Sequence, residues 1–268
     1  MTQPLLPAWT HVPKPVIGML HLPPLPGSPA YGGDPASILT RVLSDARTLR
    51  DGGVHGLMLE NFGDAPFFAD SVPTHTVTHV TAIAKVVRDQ VDLPLGINLL
   101  RNDGLSALAV AHAVGADYIR VNVLSGACLT DQGVITGKAA ELMRYRRQIG
   151  ADHVKVLADV RVKHAAPLAD RPLHEEVDEL VQRARADGVI VSGVGTGHPT
   201  DPRLVREVKQ YAPDTPVFIG SGATPPTLGD LLPHADGLIV GSYFKQDGQL
   251  DRPVDANRVK AFLDAIPI

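Results

Sequence analysis

Two short glycine- and serine-rich stretches near the C-terminus have the composition of a phosphate site. Gly220-Ser221-Gly222 follows the apolar run Val217-Phe218-Ile219, and Gly241-Ser242 follows a similar run one unit later. Glycine lets the backbone approach a ligand closely, and free N–H groups at a helix start attract an anion. We therefore predict that these five residues bind phosphate; the alternative is that the glycines only form tight turns.

A second group of residues carries ionisable side chains suited to proton transfer. Glu60 and Asp159 each follow a short apolar run, and Lys163 and His164 come soon after Asp159. A carboxylate can act as a general base, and a desolvated lysine can act as an acid or form a Schiff base. We predict that all four are catalytic, although Lys163 reads equally well as a solvated loop charge. Lys245, beyond the second glycine-serine stretch, could add positive charge to the phosphate site, but we expect it to be solvated.

Further polar residues end most of the other apolar runs. We predict that they bind the rest of the substrate: His21, Asn61, Asn98, Arg101, Asn122, Ser192 and Thr196. The glycines around Thr196 do not have the spacing of a dinucleotide fingerprint. A metal set of His21, Glu60, Asp159 and His164 is conceivable, but no tight ligand motif supports it. We predict no resident metal and no cofactor, with Mg2+ left open.

Many of the candidate residues come at the end of a repeated sequence pattern, in which a helix end leads into a short apolar strand. Two copies are Ala186–Gly193 and Ala235–Ser242, and others run over Gly115–Asn122 and, more loosely, Gly52–Asn61. Four more strands are predicted at Pro15–His21, Pro94–Asn98, His153–Asp159 and Pro216–Gly220. Short strands without alternation are typical of buried parallel sheets. Eight strands, each followed by a helix, predict an α/β fold, a single (β/α)8 TIM barrel.

The segments between the predicted strands contain residues that are typical of helix N-termini. Asp34-Pro35, Asp201-Pro202 and Thr224-Pro225 each combine an N-cap residue with proline at the first helical position. No linker or change of composition interrupts the pattern. We expect residues 1–268 to be one barrel domain with residues 1–14 as an N-terminal extension, and we expect the candidate residues on its C-terminal face.

The overall composition restricts the class of protein. The formal charge of −4, from 25 basic and 29 acidic residues, argues against general nucleic-acid binding. Cys128 is the only cysteine, and neither a bilayer-spanning run nor a secretion signal is visible, so we expect a cytoplasmic protein. Peripheral membrane association and a homo-oligomer are both compatible with the sequence.

Several of these motifs resemble those of a known family. The segment Val16–Pro29, with the sequence VIGMLHLPPLPGSP, and Gly56–Phe67, with the sequence GLMLENFGDAPF, are similar to two signatures of the BtpA/SgcQ family. Asn98–Asp103, Ile119–Asn122 and Ala158–His164 follow in the family's order. The resemblance implies a ribulose-phosphate-binding type of barrel. It also implies a link to photosystem I biogenesis, from which the family takes its name.

Two functions remain open at this point. The first is an enzyme acting on a small phosphorylated metabolite, either a phosphosugar or a ribosyl-phosphate compound, as a lyase, an isomerase or a glycosidic-bond-cleaving enzyme. The second is a non-enzymatic assembly factor that retains a phosphate pocket. Its candidate partner surfaces are the proline-rich segment Leu22–Pro29 and the basic cluster Arg144–Arg147.

Overall fold

The computed structural model describes residues 2–193, 195 and 198–267. Within these ranges, eight parallel strands close into a barrel in which each strand pairs with the next one along the chain and the last pairs with the first. Their bounds are β1 Val16–His21, β2 Gly56–Glu60, β3 Leu95–Asn98, β4 Tyr118–Val121, β7 Lys155–Val160, β9 Gly188–Val191, β10 Val217–Ile219 and β11 Gly237–Val240. The predicted (β/α)8 barrel is confirmed, and the strand ends differ from the predicted ones by one or two residues.

Helices follow the barrel strands along the chain. They are α1 Pro35–Asp51, α2 Thr74–Gln90, α3 Gly104–Val114, α4 Ala139–Gln148, α5 Leu173–Asp178, α6 Pro202–Tyr211, α7 Leu228–Leu231 and α8 Ala256–Asp264. The Asp34 and Asp201 side chains cap α1 and α6 by accepting backbone N–H groups, as their sequence predicts. None of the helices in the described ranges combines the length and apolar character needed to cross a bilayer.

The connections depart from the simple alternation in two places. The connection after β4 contains a hairpin, β5 Ala127–Thr130 and β6 Gly133–Thr136, and β5 also pairs with β8 Ala165–Pro167. The helix expected after Thr224-Pro225 is only a 3-10 turn, Pro225–Thr227, followed by the four-residue α7. This segment is therefore too short to supply the helix-start attraction that we predicted for phosphate.

The inside of the barrel changes from apolar to polar along the strands. Because alternate residues of a strand face the same side, one inward layer is followed by another two residues later. The lower layer is apolar and contains Met58, Tyr118, Leu157, Ile190, Phe218 and Ile239. Two residues further along the same strands lie Glu60, Arg120, Asp159, Ser192, Gly220 and Gly241. In these strands the inward-facing charged and serine side chains thus lie at the C-terminal mouth.

The N-terminal segment closes the opposite end of the barrel. Leu5, Leu6 and Trp9 are buried in the same cluster as the lower layer. The Trp9 ring lies 5.9 Å from that of Tyr118 and 6.1 Å from that of Phe218, and its Nε1 donates to the carbonyl of His55 at 2.8 Å. The N-terminal segment therefore completes the apolar core, and the C-terminal end of the barrel is the end with polar side chains.

Candidate functional site

A cavity of about 430 Å³, counting its open mouth, lies where β10 and β11 end. It contains all five residues predicted to bind phosphate, Gly220, Ser221, Gly222, Gly241 and Ser242, and we call these five residues the cradle. Two cations, Arg120 and Lys163, line the same cavity. The Ser242 side chain faces the cavity and makes no hydrogen bond within the described part of the chain, so its hydroxyl can serve a ligand.

Packing also requires the cradle glycines. A Cβ on Gly222, whose φ is +69°, would lie 2.0 Å from the carbonyl oxygen of His198. A Cβ on Gly220 would lie 2.5 Å from Ser192 Oγ, and one on Gly241 would lie 2.7 Å from the His21 ring. Close packing can therefore account for all three glycines, and a turn that needs glycine is supported only at Gly222; the case for phosphate depends on the serines and cations around them.

Ser221 has a partly structural role. Its Oγ accepts the backbone N–H of Gly193 at 3.1 Å, and its carbonyl accepts the Thr200 hydroxyl at 2.8 Å. These bonds hold the β9 exit loop against the β10 exit loop. The Ser221 hydroxyl proton is still free to be donated to a ligand. Thr196, in the same exit loop, lies outside the described residues.

Arg120 and Asp159 form a buried ion pair in the centre of the mouth. Arg120 Nε donates to Asp159 Oδ2 at 2.9 Å and Nη2 donates to Oδ1 at 2.7 Å, and the two side chains are 2% and 0% exposed. Burial opposes ionisation of the guanidinium, but the Asp159 carboxylate beside it raises the pKa of Arg120 overall. The pair is bidentate, which fixes the direction in which Arg120 points.

Asp159 is saturated by other protein groups as well. Asn122 Nδ2 donates to Oδ2 at 3.1 Å, and Ser192 Oγ donates to Oδ1 at 3.3 Å. A carboxylate with four internal donors has little capacity left to remove a proton from a substrate. The general-base role that we predicted for Asp159 does not fit this geometry; the residue instead positions Arg120, Asn122 and Ser192.

Glu60 is the carboxylate that remains available. It is buried beside His21, with 3.9 Å between Glu60 Oε1 and His21 Nε2, and its side chain accepts no hydrogen bond from the described residues. Burial raises the pKa of the Glu60 carboxyl, while nearby Lys163, Arg120 and Arg101 act in the opposite direction. An acid with a raised pKa and unused oxygens is suited to general acid–base chemistry.

His21 is held in its neutral form. Burial lowers the pKa of His21 well below its usual range, and Lys245, Lys163 and Arg120 lower it further. Its ring lies edge-on to Phe62, with 5.0 Å between centroids. The neutral ring can accept or donate a hydrogen bond but cannot supply positive charge to a phosphate.

Lys163 and His164 follow β7 and line the mouth. Burial lowers the pKa of the Lys163 ammonium and Arg120 lowers it further, against the opposing effect of Glu60 and Asp159. His164 is exposed, and partial desolvation together with Lys163 lowers its pKa. The solvated-loop alternative does not fit Lys163, which lies in the cavity, whereas His164 lies at its rim.

A second cavity of about 1060 Å³, counting its open mouth, continues from the first. Glu60, Arg120 and Lys163 line both cavities. The second cavity is also lined by Phe62, Phe67, Leu100, Arg101, Asn122, Asp131, Gln132 and His164. Asp131 and Gln132 form the turn of the β5–β6 hairpin, so this hairpin borders the site.

Three of the predicted substrate-binding residues are largely occupied by the protein itself. Asn61 Oδ1 accepts the backbone N–H of Leu100 at 2.7 Å, and its Nδ2 donates to Asp64 at 3.2 Å. Asn98 Nδ2 donates to the carbonyl of Arg120 at 3.1 Å. Arg101 donates to the carbonyl of Lys163 and so supports the loop after β7. Asn61 is thus a loop-positioning residue, while Arg101 still lines the second cavity.

Several buried polar atoms at the mouth have no partner. In the described part of the chain these include His21 Nδ1, Asn98 Oδ1 and Gln132 Oε1. Buried polar atoms are normally hydrogen-bonded, and each one left unpaired costs about 1–3 kcal/mol. Unpaired atoms of this kind are expected where a polar ligand binds.

The conceivable metal set does not form a metal centre. Within the described ranges, no three His, Cys, Asp or Glu side chains are arranged so that they could hold a metal ion. His21 and Glu60 are neighbours, but the Asp159 oxygens are occupied by Arg120, Asn122 and Ser192.

The prediction that Lys245 is solvated is wrong. It is 1% exposed rather than solvated, and its Nζ lies 2.6 Å from Oδ2 of Asp45 in α1. Burial lowers the pKa of Lys245, against the opposing effect of Asp45. The residue joins β11 to the outer helices and does not enter the cradle.

Sequence reasoning missed Arg120 and most of the second cavity. Arg120 lies inside an otherwise apolar strand, and a charged residue in a buried strand is itself an indication of a paired or functional group. Phe62, Phe67, Asp131 and Gln132 lie in loops, where no periodic pattern indicates the direction of a side chain.

Comparison with solved structures supports the fold. A structure described as native KDPGal superposes with a TM-score of 0.56 at 16% identity, covering 94% of this chain and 93% of that one. Phosphoribosyl anthranilate isomerase from Thermus thermophilus superposes with a TM-score of 0.56 at 11% identity, covering 94% and 97%. At these identities the similarity shows the barrel fold alone.

Sequence relatives are much more similar. The photosystem I biogenesis protein BtpA of Synechocystis is 46% identical over 94% of this chain and 88% of its own length. An uncharacterized protein of Thermococcus kodakarensis is 46% identical over 94% of both chains, and the putative sgc region protein SgcQ of Escherichia coli is 31% identical over 94% of both. The BtpA family profile matches residues 12–267, and the chain therefore belongs to the BtpA family.

Proposed function

We propose that the protein is an enzyme acting on a small phosphorylated metabolite, either a phosphosugar or a ribosyl-phosphate compound. The observation that carries the proposal is the placement of the cradle, two cations and an unused carboxylate in one cavity. A barrel used only as a scaffold has no need of a buried Glu60 with a raised pKa beside Lys163 with a lowered one.

Each residue has a role in this proposal. Ser242, Ser221 and the backbone N–H groups of the cradle bind the phosphate, and Lys163 and Arg120 balance its charge. Arg120 is held by two hydrogen bonds to Asp159, which leaves its remaining nitrogen, Nη1, for the substrate. Glu60 moves a proton at the sugar end. The arrangement serves isomerisation, aldol-type cleavage or cleavage of a glycosidic bond.

Lys163 offers a version of the proposal that can be tested separately. Its lowered pKa increases the fraction of neutral amine, which is the form that attacks a carbonyl to give a Schiff base. If Lys163 does so, borohydride in the presence of a carbonyl substrate traps a covalent adduct in the wild type. Lys163→Ala should give no adduct, and an adduct that persists in this variant excludes the Schiff-base version.

The experiment for the proposed function is a thermal-shift panel. Phosphorylated sugars and nucleotides are each paired with their dephosphorylated forms, with and without Mg2+, because a ligand of the folded state raises the melting temperature. We expect stabilisation by a phosphorylated member and none by its partner, followed by turnover of the stabilising compound that is lost in Glu60→Gln. No shift across the panel contradicts the proposal.

One observation favours the second candidate, an assembly factor. Large apolar side chains are exposed on and near the β6-β5-β8 sheet, namely Phe68, Leu129, Val134 and Leu168. Leu129 and Val134 are direct cross-strand partners, so they form a continuous patch. The surfaces predicted from the sequence are less available, because Leu22 and Leu25 are buried and Arg146 pairs with Asp187. A partner would be expected on the exposed patch, with phosphate binding but no turnover.

A further inference from the structure

We propose that the substrate carries a planar aromatic or heteroaromatic group at the end opposite its phosphate. The substrate class is then a phosphorylated sugar with an aromatic aglycone, rather than a simple sugar phosphate. This inference rests on the proposed function, because it takes the cradle as the site of the phosphate.

The two cavities are continuous through three side chains. Glu60, Arg120 and Lys163 line both of them, so a ligand whose phosphate lies in the cradle has its sugar beside Glu60. A sugar phosphate alone fills the cradle and the shared region. A sugar phosphate bound in this way leaves the second and larger cavity empty.

The apolar part of the second cavity is suited to a flat ring. Phe62, Phe67 and Leu100 line it, and the Phe62 ring is held in place by its edge-on contact with His21 at 5.0 Å. Aromatic side chains stack on planar groups at little entropic cost because they have few rotatable bonds. A polyhydroxylated chain would bury its hydroxyl groups against these carbons without hydrogen-bond partners.

The polar part of the cavity excludes a purely aliphatic occupant. Gln132 Oε1 is buried without a partner, and Asn122 and Arg101 are largely buried beside the same space. The Gln132, Asn122 and Arg101 side chains line this part of the cavity and can pair with polar atoms on a ring. A hydrocarbon group would desolvate these polar side chains without pairing them, which is the more costly outcome.

The β5–β6 hairpin, which lies in the connection after β4, forms part of the second cavity. Gln132 and Asp131 reach the cavity because β5 and β6 pair through Thr130 and Gly133 on either side of the turn. The hairpin contributes polar side chains to the cavity, whereas the apolar lining of the cavity comes from the loops after β2 and β3. The hairpin therefore selects the second group of the substrate, while the cradle selects the first.

Isothermal titration calorimetry with defined probes tests the inference. The probes are ribose 5-phosphate, the four nucleoside 5′-monophosphates AMP, GMP, CMP and UMP, and adenosine. We expect at least one nucleotide to bind about tenfold or more tightly than ribose 5-phosphate, which is the gain expected from stacking one base. Phe67→Ala should reduce this ratio towards one and leave the dissociation constant of ribose 5-phosphate unchanged.

Phe68→Ala is the matched control, because Phe68 is the next residue, is 57% exposed and does not line the cavity. It should leave all affinities unchanged. If ribose 5-phosphate binds and none of the four nucleotides binds more tightly, or if the gain survives Phe67→Ala, the inference is wrong and the proposed function stands. If no phosphorylated probe binds, the inference is wrong, and the thermal-shift panel decides the proposed function.

Discussion

The Arg120–Asp159 pair allows the most quantitative prediction. Both side chains are almost completely buried, and Asp159 is the shared acceptor of Arg120, Asn122 and Ser192. Removing one member of a buried ion pair leaves an uncompensated charge, at a cost of about 3–5 kcal/mol. We expect Asp159→Asn to lower the free energy of unfolding by this amount, although it preserves the shape of the side chain.

A double-mutant cycle isolates the pair. Arg120→Met alone should also destabilise the protein strongly, whereas the double variant with Asp159→Asn should lose less than the sum, with a coupling energy of about 2 kcal/mol or more. The measurement is urea unfolding followed by circular dichroism. The exposed pair Arg147–Asp152, with side chains 82% and 54% exposed, is the control, and Asp152→Asn should change stability by less than about 1 kcal/mol.

Two results would refute the reasoning. One is a loss of less than about 1 kcal/mol in Asp159→Asn, which would place the pair in the range of surface ion pairs. The other is additivity of the two single variants within about 0.5 kcal/mol, which would mean that Arg120 and Asp159 do not interact.

Three further predictions concern other parts of the fold. Burial raises the pKa of Glu60 above its ordinary value of 4.5, so ionising Glu60 lowers the stability of the folded protein as the pH rises from about 4.5 through the raised pKa. Glu60→Gln should therefore raise the melting temperature at pH 7, and this gain should vanish below about pH 4.5. A melting temperature lowered at pH 7 would contradict this. Gly222→Ala should lower the melting temperature more than Gly126→Ala does, because both have a positive φ but only the Cβ at Gly222 meets the His198 carbonyl; equal losses would argue against the contact. Trp9→Ala should cost about 3–5 kcal/mol in urea unfolding if the N-terminal segment closes the barrel, and a loss below about 1 kcal/mol would show that it does not.

Much of the barrel could be predicted because each unit repeats the same local signals. The segments Ala186–Gly193 and Ala235–Ser242 each place a helix end, a buried strand and a polar exit close together in the sequence. Since parallel strands align their C-terminal ends, residues as distant as Glu60 and Ser242 could be assigned to one face without any contact information. Both do line the same cavity.

The pairing of charged groups could not be predicted in this way. Asp159 was expected to be a base because its strand position is visible in the sequence, but its partner Arg120 lies on the neighbouring strand, 39 residues earlier. Lys245 was expected to be solvated because its partner Asp45 is 200 residues away. Whether a carboxylate is free or saturated depends on such distant contacts, which neither periodicity nor motif spacing encodes.

The hairpin was missed for a different reason. Its two strands have four residues each, and the turn at Asp131 and Gln132 separates two runs with strand-like composition, Cys128–Thr130 and Val134–Thr136. Gly133, with φ of +95°, permits the turn. This local signal was present, but the alternation of strands and helices favoured reading the segment as a loop.

The cradle is tested most directly at Ser242, whose side chain faces the cavity and has no partner in the described part of the chain. Calorimetry with ribose 5-phosphate and ribose is carried out on the wild type, on Ser242→Asp and on Ser242→Ala. We predict that only the phosphorylated sugar binds, that the aspartate abolishes binding by charge repulsion, and that alanine retains it within several-fold. Equal binding of ribose, or an unchanged affinity in Ser242→Asp, would contradict the assignment of this cavity as a phosphate site.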